Sequence, residues 1–196
     1  DYAHETLSWA KSRRSDPCYW SAGEKKYIDV ASMLLLMDAD GDLHVAYYCD
    51  DGCSDLRLSS RINGVWQNET VASTLNIGNS PDIAIDSQGT IHIVSQYLNS
   101  KRIYLHSGTP GSWTEQTGLS GGNAHWPTVA IDSNDAVHIS YHFGTNQKDV
   151  MYMTNASGSW STATVIDGYG GWGSDMTIDG NDDIFIPNIA PGQSDL

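Results

Sequence analysis

Short apolar runs separated by turn residues recur along the chain. "PDIAID" (81–86) and "TIHIVSQY" (90–97) are rich in β-branched and aromatic residues, with a polar turn between them. "RIYLHS" (102–107) follows, then a glycine turn and a run that starts at Trp113. No long segment has the 3.6-residue period of a helix. The pattern predicts an all-β protein built from units of four antiparallel strands.

The same unit occurs four times. "MDADGDLH", "IDSQGTIH", "IDSNDAVH" and "IDGNDDIF" align without gaps, and their first aspartates are 48, 46 and 47 residues apart. A tryptophan after a glycine turn keeps the same period. The repeated aspartates are Asp38, Asp86, Asp132 and Asp179, and the repeated tryptophans are Trp66, Trp113 and Trp160. Four strands in about 47 residues is the size of a β-propeller blade.

The two ends of the chain each resemble half a unit. The first 30 residues look like a third and a fourth strand, with Trp20 standing 46 residues before Trp66, and the chain ends after a second strand. We therefore expect one domain over residues 1–196, a propeller of four blades in which the N-terminal strands complete the C-terminal blade and remove a sheet edge. An eight-bladed ring of two chains and a fragment of a larger propeller stay open.

The copies differ on one face only. The turns between the first and second strands are nearly alike, whereas the loops at the other end of the blades differ in every copy. A scaffold that varies on one face is typical of a rigid platform for ligand loops. The variable face is therefore predicted to carry the function.

Aromatic and polar residues in these loops suit a sugar, whose C–H face lies on an aromatic ring while its hydroxyls form hydrogen bonds. His125 with Trp126, and Tyr169 with Trp172, stand in loops whose composition no other copy shares. The predicted ligand-binding residues are His125, Trp126, Tyr169, Trp172, His142 and Asn79. Catalysis is the alternative, with His125, His142, Tyr141 and Tyr169 as acid and base groups. No GxSxG, HExxH or P-loop motif supports it, so binding is favoured.

The repeated polar residues are interpreted structurally. The stretch that begins at Asp38 resembles a calcium-binding loop. The EF-hand pattern requires a glycine at position 6 and a glutamate at position 12, whereas here the glycine is at position 4 and Cys49 is at position 12, so the pattern is not matched. His44, His92 and His138 recur at one place in three copies, with Phe185 in the fourth, so we expect buried, hydrogen-bonded side chains. No cofactor is predicted, apart from a possible structural cation held by strand carbonyls in the central channel.

Charge and cysteines narrow the setting. The chain carries 24 acidic and 10 basic residues, a net charge of -14, which argues against nucleic acid as a partner. No segment approaches the length of a membrane span. Cys49 and Cys53 flank "DDG" and are candidates for a disulfide, which would indicate export, the alternative being two thiols. Cys18 has no local partner.

The unit apolar–Asp–Ser–x–Gly–x–apolar–His, followed by Gly–x–Trp, resembles repeats of bacterial secreted or cell-surface β-propellers. These include sialidase-like repeat proteins, propeller lectins and propeller polysaccharide lyases. The sialidase Asp-box itself, Ser–x–Asp–x–Gly–x–Thr–Trp, is not matched. The resemblance implies an extracellular or cell-surface protein that binds a glycan or another extracellular protein. A polysaccharide lyase or glycoside hydrolase, and an assembly module that forms a homodimeric ring, stay open.

Overall fold

A computed structural model describes residues 33–49, 54–74, 76–117, 119–145, 149–168 and 175–188. They form strands and turns, with no helix among these residues. Blade 1 contains β1 (Met33–Met37), β2 (Leu43–Cys49), β3 (Asp55–Ile62) and β4 (Val65–Ala72). Blade 2 contains β5 (Asn79–Ile85), β6 (Ile91–Tyr97), β7 (Arg102–Thr109) and β8 (Ser112–Gln116). Blade 3 contains β9 (Ala124–Ile131), β10 (Val137–Phe143), β11 (Asp149–Thr154) and β12 (Ser161–Ile166). The described part of blade 4 is β13 (Thr177–Ile178) and β14 (Ile184–Phe185).

Each blade is an antiparallel meander, with neighbouring strands paired in chain order. The first strands of successive blades pack side by side, β5 against both β1 and β9, whereas β8 and β12 are largely exposed. This arrangement is propeller-like, with the first strands innermost. The predicted all-β repeat of four-stranded units is confirmed for blades 1 to 3. The predicted strands of residues 1–30 lie outside the described residues, and the single domain over 1–196 stays a prediction.

Both faces of β6, a middle strand of blade 2, are buried because this blade lies between blades 1 and 3. In β6, Ile93 packs toward blade 1 with Leu58, and Val94 packs toward blade 3 with Ile139. Trp113 and Trp160 pack against the edges of these two clusters, so these repeated tryptophans help to anchor neighbouring blades to each other. Burying apolar area on both sides of each sheet is the main force that holds the blades together.

The turn between the first and second strands of each blade is built on the repeated aspartate. We call these turns, residues 38–41, 86–89, 132–135 and 179–182, the Asp turns. In the second one, Asp86 Oδ1 accepts hydrogen bonds from the backbone N–H of Gln88 at 2.9 Å and of Thr90 at 2.8 Å. The same two bonds recur at Asp38, Asp132 and Asp179. The aspartate is thus a turn residue, and the calcium-loop reading of Asp38 is set aside.

The repeated histidines brace these turns. His92 is buried, with Nδ1 2.9 Å from Ser107 Oγ and Nε2 3.2 Å from Asp86 Oδ2. His44 lies in the same way between Ser60 and Asp38, and His138 between Tyr152 and Asp132. Their predicted structural role is confirmed. Burial opposes ionisation of the aspartates, but hydrogen bonds from the backbone and the histidines hold the pKa of Asp38, Asp86 and Asp132 below the usual value.

A clasp joins the Asp turns of adjacent blades. The N–H and hydroxyl of Ser87 donate to Asp135 at 2.8 and 2.7 Å, and those of Ser133 donate to Asp182 at 2.9 and 2.6 Å. Asp135 and Asp182 occupy a left-handed position, with φ of 63° and 64°. Glycine holds that position in blades 1 and 2. Between blades 1 and 2, Ala39 occupies the serine position and Gly89 the aspartate position of the clasp. Both hydrogen-bonding partners are therefore replaced together.

A second link joins the inner strands. Asp82 in β5 is buried, and its carboxylate accepts hydrogen bonds from the backbone N–H of Ile83 and of Val129 in β9, both at 2.7 Å. Burial raises the pKa of Asp82 to about 6, against the effect of these bonds, and the charge of Asp175 acts in the same direction as burial. This carboxyl was not singled out in the sequence because the other repeats carry no aspartate there, apart from Asp175.

Candidate functional site

The predicted site residues that the structure describes lie at one end of the blades, opposite the Asp turns. We call this end the top face. His125 and Asn79 occupy the same place in β9 and β5, seven residues before Asp132 and Asp86. In the sheet register His125 lies opposite His142, and Asn79 lies opposite Gln96. The repeat therefore brings equivalent positions of blades 2 and 3 to the top of the inner strands.

Gln96 connects the two blades at this level. Its side-chain Nε2 donates to the carbonyl of Ala124 at 2.8 Å and to Nδ1 of His125 at 3.1 Å. Gln96 is buried, with 3% of its surface exposed, and these two bonds use both of its amide hydrogens. Sequence reasoning missed Gln96 because it stands inside a strand, although its repeat equivalents, Tyr48 and His142, differ from it and from each other.

This contact determines what His125 offers to a ligand. Because Nδ1 accepts a hydrogen bond from Gln96, the proton of the neutral ring lies on Nε2. Partial burial lowers the pKa of His125, and electrostatic interactions with Lys101 and His142 lower it further. The neutral ring is thus favoured, with Nε2 as a hydrogen-bond donor and no basic nitrogen free for a substrate.

Trp126 is held in an unusual backbone conformation. Its φ is 47°, in the left-handed region, which costs a bulky residue on the order of 1–2 kcal/mol. Its ring is half-buried, with a centroid 5.7 Å from that of His125 and 5.7 Å from that of His142. Ser80, the equivalent residue of blade 2, has the same φ of 47°, so the blade geometry imposes the conformation. Blade 3 places an indole where blade 2 has a hydroxyl.

His142 and Tyr141 are too deeply buried to contact a ligand on the top face. His142 is fully buried, and its ring packs nearly perpendicular to that of Trp126 and helps to hold the indole in place. Tyr141 lies in the core between blades 2 and 3, and burial raises its pKa to about 12. Neighbouring residues of a strand point to opposite faces. The two side chains therefore do not meet at a common exposed surface, as the acid and base of the catalytic alternative would have to.

Other candidates lie partly or wholly outside the described residues. Tyr169 and Trp172 are not described, so their predicted role in binding stays a prediction. Cys49 is buried and forms a disulfide. Its partner lies outside the described residues, as do both Cys53 and Cys18, so the pairing with Cys53 also stays a prediction.

The described residues contain neither a cluster of metal-binding side chains nor a membrane-spanning helix. In the part of the chain that is described, no three His, Cys, Asp or Glu side chains are grouped in a way that would hold a metal ion. A cation held by strand carbonyls in the central channel remains a prediction. Within the same ranges there is no helix long and apolar enough to cross a lipid bilayer.

Comparison with known proteins gives structural neighbours only. No protein-family model and no curated protein matches the sequence. A fucose lectin from Kordia zhangzhouensis, solved in complex with methyl-fucoside, superposes with a TM-score of 0.50 at 14% identity, over 69% of this chain and 99% of the lectin. A protein of unknown function from Dyadobacter fermentans superposes with a TM-score of 0.60 at 11% identity, over 81% of this chain but 49% of its own length. At such low identity these similarities extend to the propeller-like fold and no further.

Proposed function

We propose that this protein is a carbohydrate-binding module whose ligand lies on the top face of blades 2 and 3. The observation that carries the proposal is the half-buried indole of Trp126, held in a left-handed conformation beside the imidazole of His125. Because Ser80 of blade 2 has the same φ, the feature that distinguishes blade 3 is the aromatic ring that it carries at this position. An aromatic face next to a hydrogen-bond donor is the combination that a sugar needs.

The setting of the site favours binding over turnover. Gln96 occupies the basic nitrogen of His125, and Tyr141 is sealed in the core with a raised pKa of about 12. Neither group is prepared to move a proton on a substrate at neutral pH. The structural neighbour that is a fucose lectin supports the carbohydrate class, and the disulfide of Cys49 supports an extracellular or cell-surface location, since disulfides persist in oxidising compartments.

The test is glycan-array binding followed by calorimetry on the whole chain. Trp126→Ser gives blade 3 the residue that blade 2 carries at the same φ, so the backbone stays compatible while the ring is lost. We expect this variant to lose at least about tenfold in affinity. Ser80→Ala, at the equivalent position of blade 2, serves as the control and should bind as the wild type does. Equal affinity of Trp126→Ser and wild type would show that the ligand lies elsewhere.

We also propose that the ring closes within one chain, with residues 1–30 completing blade 4. Apolar side chains are exposed on β1 of blade 1 and on β14 of blade 4, including Met37 and Phe185, and the two strands predicted in residues 1–30 would cover such side chains in a complete blade 4. The Asp turns are consistent with blade 4 lying next to blade 1. At that junction Gly180 would occupy the serine position of the clasp and Gly41 the aspartate position, so no hydrogen-bonding partner would be left unpaired.

The mass in solution tests this closure. A monomer of 21.4 kDa by light scattering is expected, and removal of residues 1–30 should make the chain aggregate because an apolar face is uncovered. A stable dimer that dissociates only on unfolding would favour the eight-bladed ring of two chains instead.

A further inference from the structure

The site around His125 is locally basic in an acidic protein. Lys101 belongs to the turn between β6 and β7, with φ of 51° and its N–H bonded to Tyr97 O at 2.7 Å. Its carbonyl accepts the N–H of Ala124, the residue before His125, at 2.8 Å. The turn is therefore fastened to the start of β9, next to His125. Lys101 is exposed and interacts electrostatically with the His125 ring.

The sequence of this turn differs from that of its equivalents. In the four repeats of the sequence, the segments that follow the second-strand motif read "CDDGCSD", "LNSKR", "FGTNQKD" and "APGQSD". The second, which carries Lys101 and Arg102, is the only one of the four without an acidic residue. In a chain with a net charge of -14, a cationic spot of this kind attracts an anion only at short range, because the surrounding field repels it.

The hydrogen-bonding groups at the site are mainly donors. His125 presents Nε2–H, and Lys101 carries an ammonium group with three donors. The nearby carbonyls of Ala124 and Lys101 already accept bonds from Gln96 and from the Ala124 N–H. The electrostatic interaction of Lys101 with His125 shows that the lysine charge acts at this site. A ligand rich in acceptors, with negative charge, complements this set.

We propose that Lys101, His125 and Trp126 together select an acidic sugar, one that carries a carboxylate or sulfate, over its neutral counterpart. This inference rests on the proposed glycan-binding function and deepens it. The Trp126 ring takes the C–H face of the sugar, and His125 Nε2 and the Lys101 ammonium donate to the oxyanion. The interaction is charge-assisted and partly exposed, so its strength falls as salt is added.

The decisive comparison uses two probes with the same sugar backbone, one charged and one neutral. Calorimetric titration of the whole chain with trigalacturonate and with its fully methyl-esterified form changes the carboxylates and keeps the sugar. Sulfated and desulfated galactose oligosaccharides form a second arm for the other oxyanion. We expect the charged member of at least one pair to bind at least about tenfold more tightly, with the difference reduced at high salt.

Two variants localise the effect. Lys101→Gln should lose this preference and bind the charged and neutral forms alike, because the ammonium is gone. Arg102→Gln removes the same charge one residue further along the chain and should keep the preference. Equal effects of the two variants would overturn the proposal in favour of a general field effect.

The remaining outcomes separate the two proposals. Equal binding of charged and neutral members in both pairs, abolished by Trp126→Ser, would overturn the selection of acidic sugars and leave the glycan-binding function standing. If neither these probes nor the sugars of a glycan array bind the folded wild type, the glycan-binding function fails, and the selection of acidic sugars fails with it.

Discussion

The two ends of the blades are built on opposite rules. At the Asp turns, one aspartate makes the same two backbone hydrogen bonds in all four copies. At the top face, the equivalent positions of blades 2 and 3 are Asn79 and His125 on the inner strands, and Ser80 and Trp126 beside them. The turns fix the geometry, so the loops at the other end are free to differ.

Blade 4 shows which part of the turn is essential. Phe185 replaces the histidine there, yet Asp179 still accepts the N–H groups of Asn181 and Asp183. The carboxylate therefore forms the turn, and the histidine adds a brace between the turn and the sheet. Variants of the Asp turns with and without a histidine should therefore lose different amounts of stability, and both can be compared with a variant on the top face.

The largest expected effect is on the pH dependence of stability, to which Asp82 and the aspartates of the Asp turns contribute in opposite directions. Its pKa of about 6 lies above the usual 3.8, so the folded state binds this proton more tightly than the unfolded one. The resulting stability is complete below about pH 4 and is lost as the pH rises through 6, about 3 kcal/mol in all. Asp38, Asp86 and Asp132 have lowered pKa values, so their contribution is lost as the pH falls through the acidic range.

Urea unfolding of the wild type and of Asp82→Asn at pH 4.5, 6 and 7.5 separates these contributions. The difference in unfolding free energy between the two proteins should shift in favour of Asp82→Asn as the pH rises. Parallel profiles for the two proteins would mean that Asp82 does not titrate in this range.

The next largest effect is expected from the Asp turns. Asp86→Ala removes the acceptor of two backbone N–H groups and the partner of His92, and should lower the unfolding free energy by about 2 kcal/mol. For a chain of this size the melting temperature then falls by roughly 4–8 °C. Asp179→Ala, in the exposed turn without a histidine, should lower the melting temperature less. Calorimetric melting of both variants gives the comparison, and equal decreases would show that the histidine does not stabilise the turn.

A smaller effect is expected from the clasp between blades. Ser133 and Asp182 should couple by about 1 kcal/mol in a double-mutant cycle of Ser133→Ala and Asp182→Gly. Glycine also relieves the left-handed strain at position 182, where φ is 64°, so Asp182→Gly alone should cost less than Ser133→Ala alone. A coupling near zero in denaturant unfolding would mean that solvent competes fully for these exposed groups.

The smallest effect is expected at the top face. Leu98 lies in the turn between β6 and β7 with 39% of its surface exposed. Leu98→Ser should change the unfolding free energy by no more than about 0.5 kcal/mol, far less than Asp86→Ala. A loss above about 2 kcal/mol in urea unfolding would remove the contrast between a fixed turn end and an adaptable top face.

Much of the fold was predictable because its information is local and repeated. The spacing of Asp38, Asp86 and Asp132 marks one turn in each blade, and the apolar runs beside them become the observed strands, such as β6 (Ile91–Tyr97). The structural role of His92 was also predictable, because a residue that recurs with fold position has a fold function. The clasp was not anticipated, since Ser87 and Asp135 lie 48 residues apart.

The candidate site was predictable only in part. The composition of its loop identifies His125 with Trp126, and the same argument named His142 and Tyr141 without showing that they are buried. Gln96 and Lys101 reach the site from the neighbouring blade, so no local pattern joins them to His125. The sequence alone determined the strands, the turns and the face that varies. The tertiary structure decided the protonation of His125, the burial of Tyr141 and the charge at the site, because these depend on how two blades pack against each other.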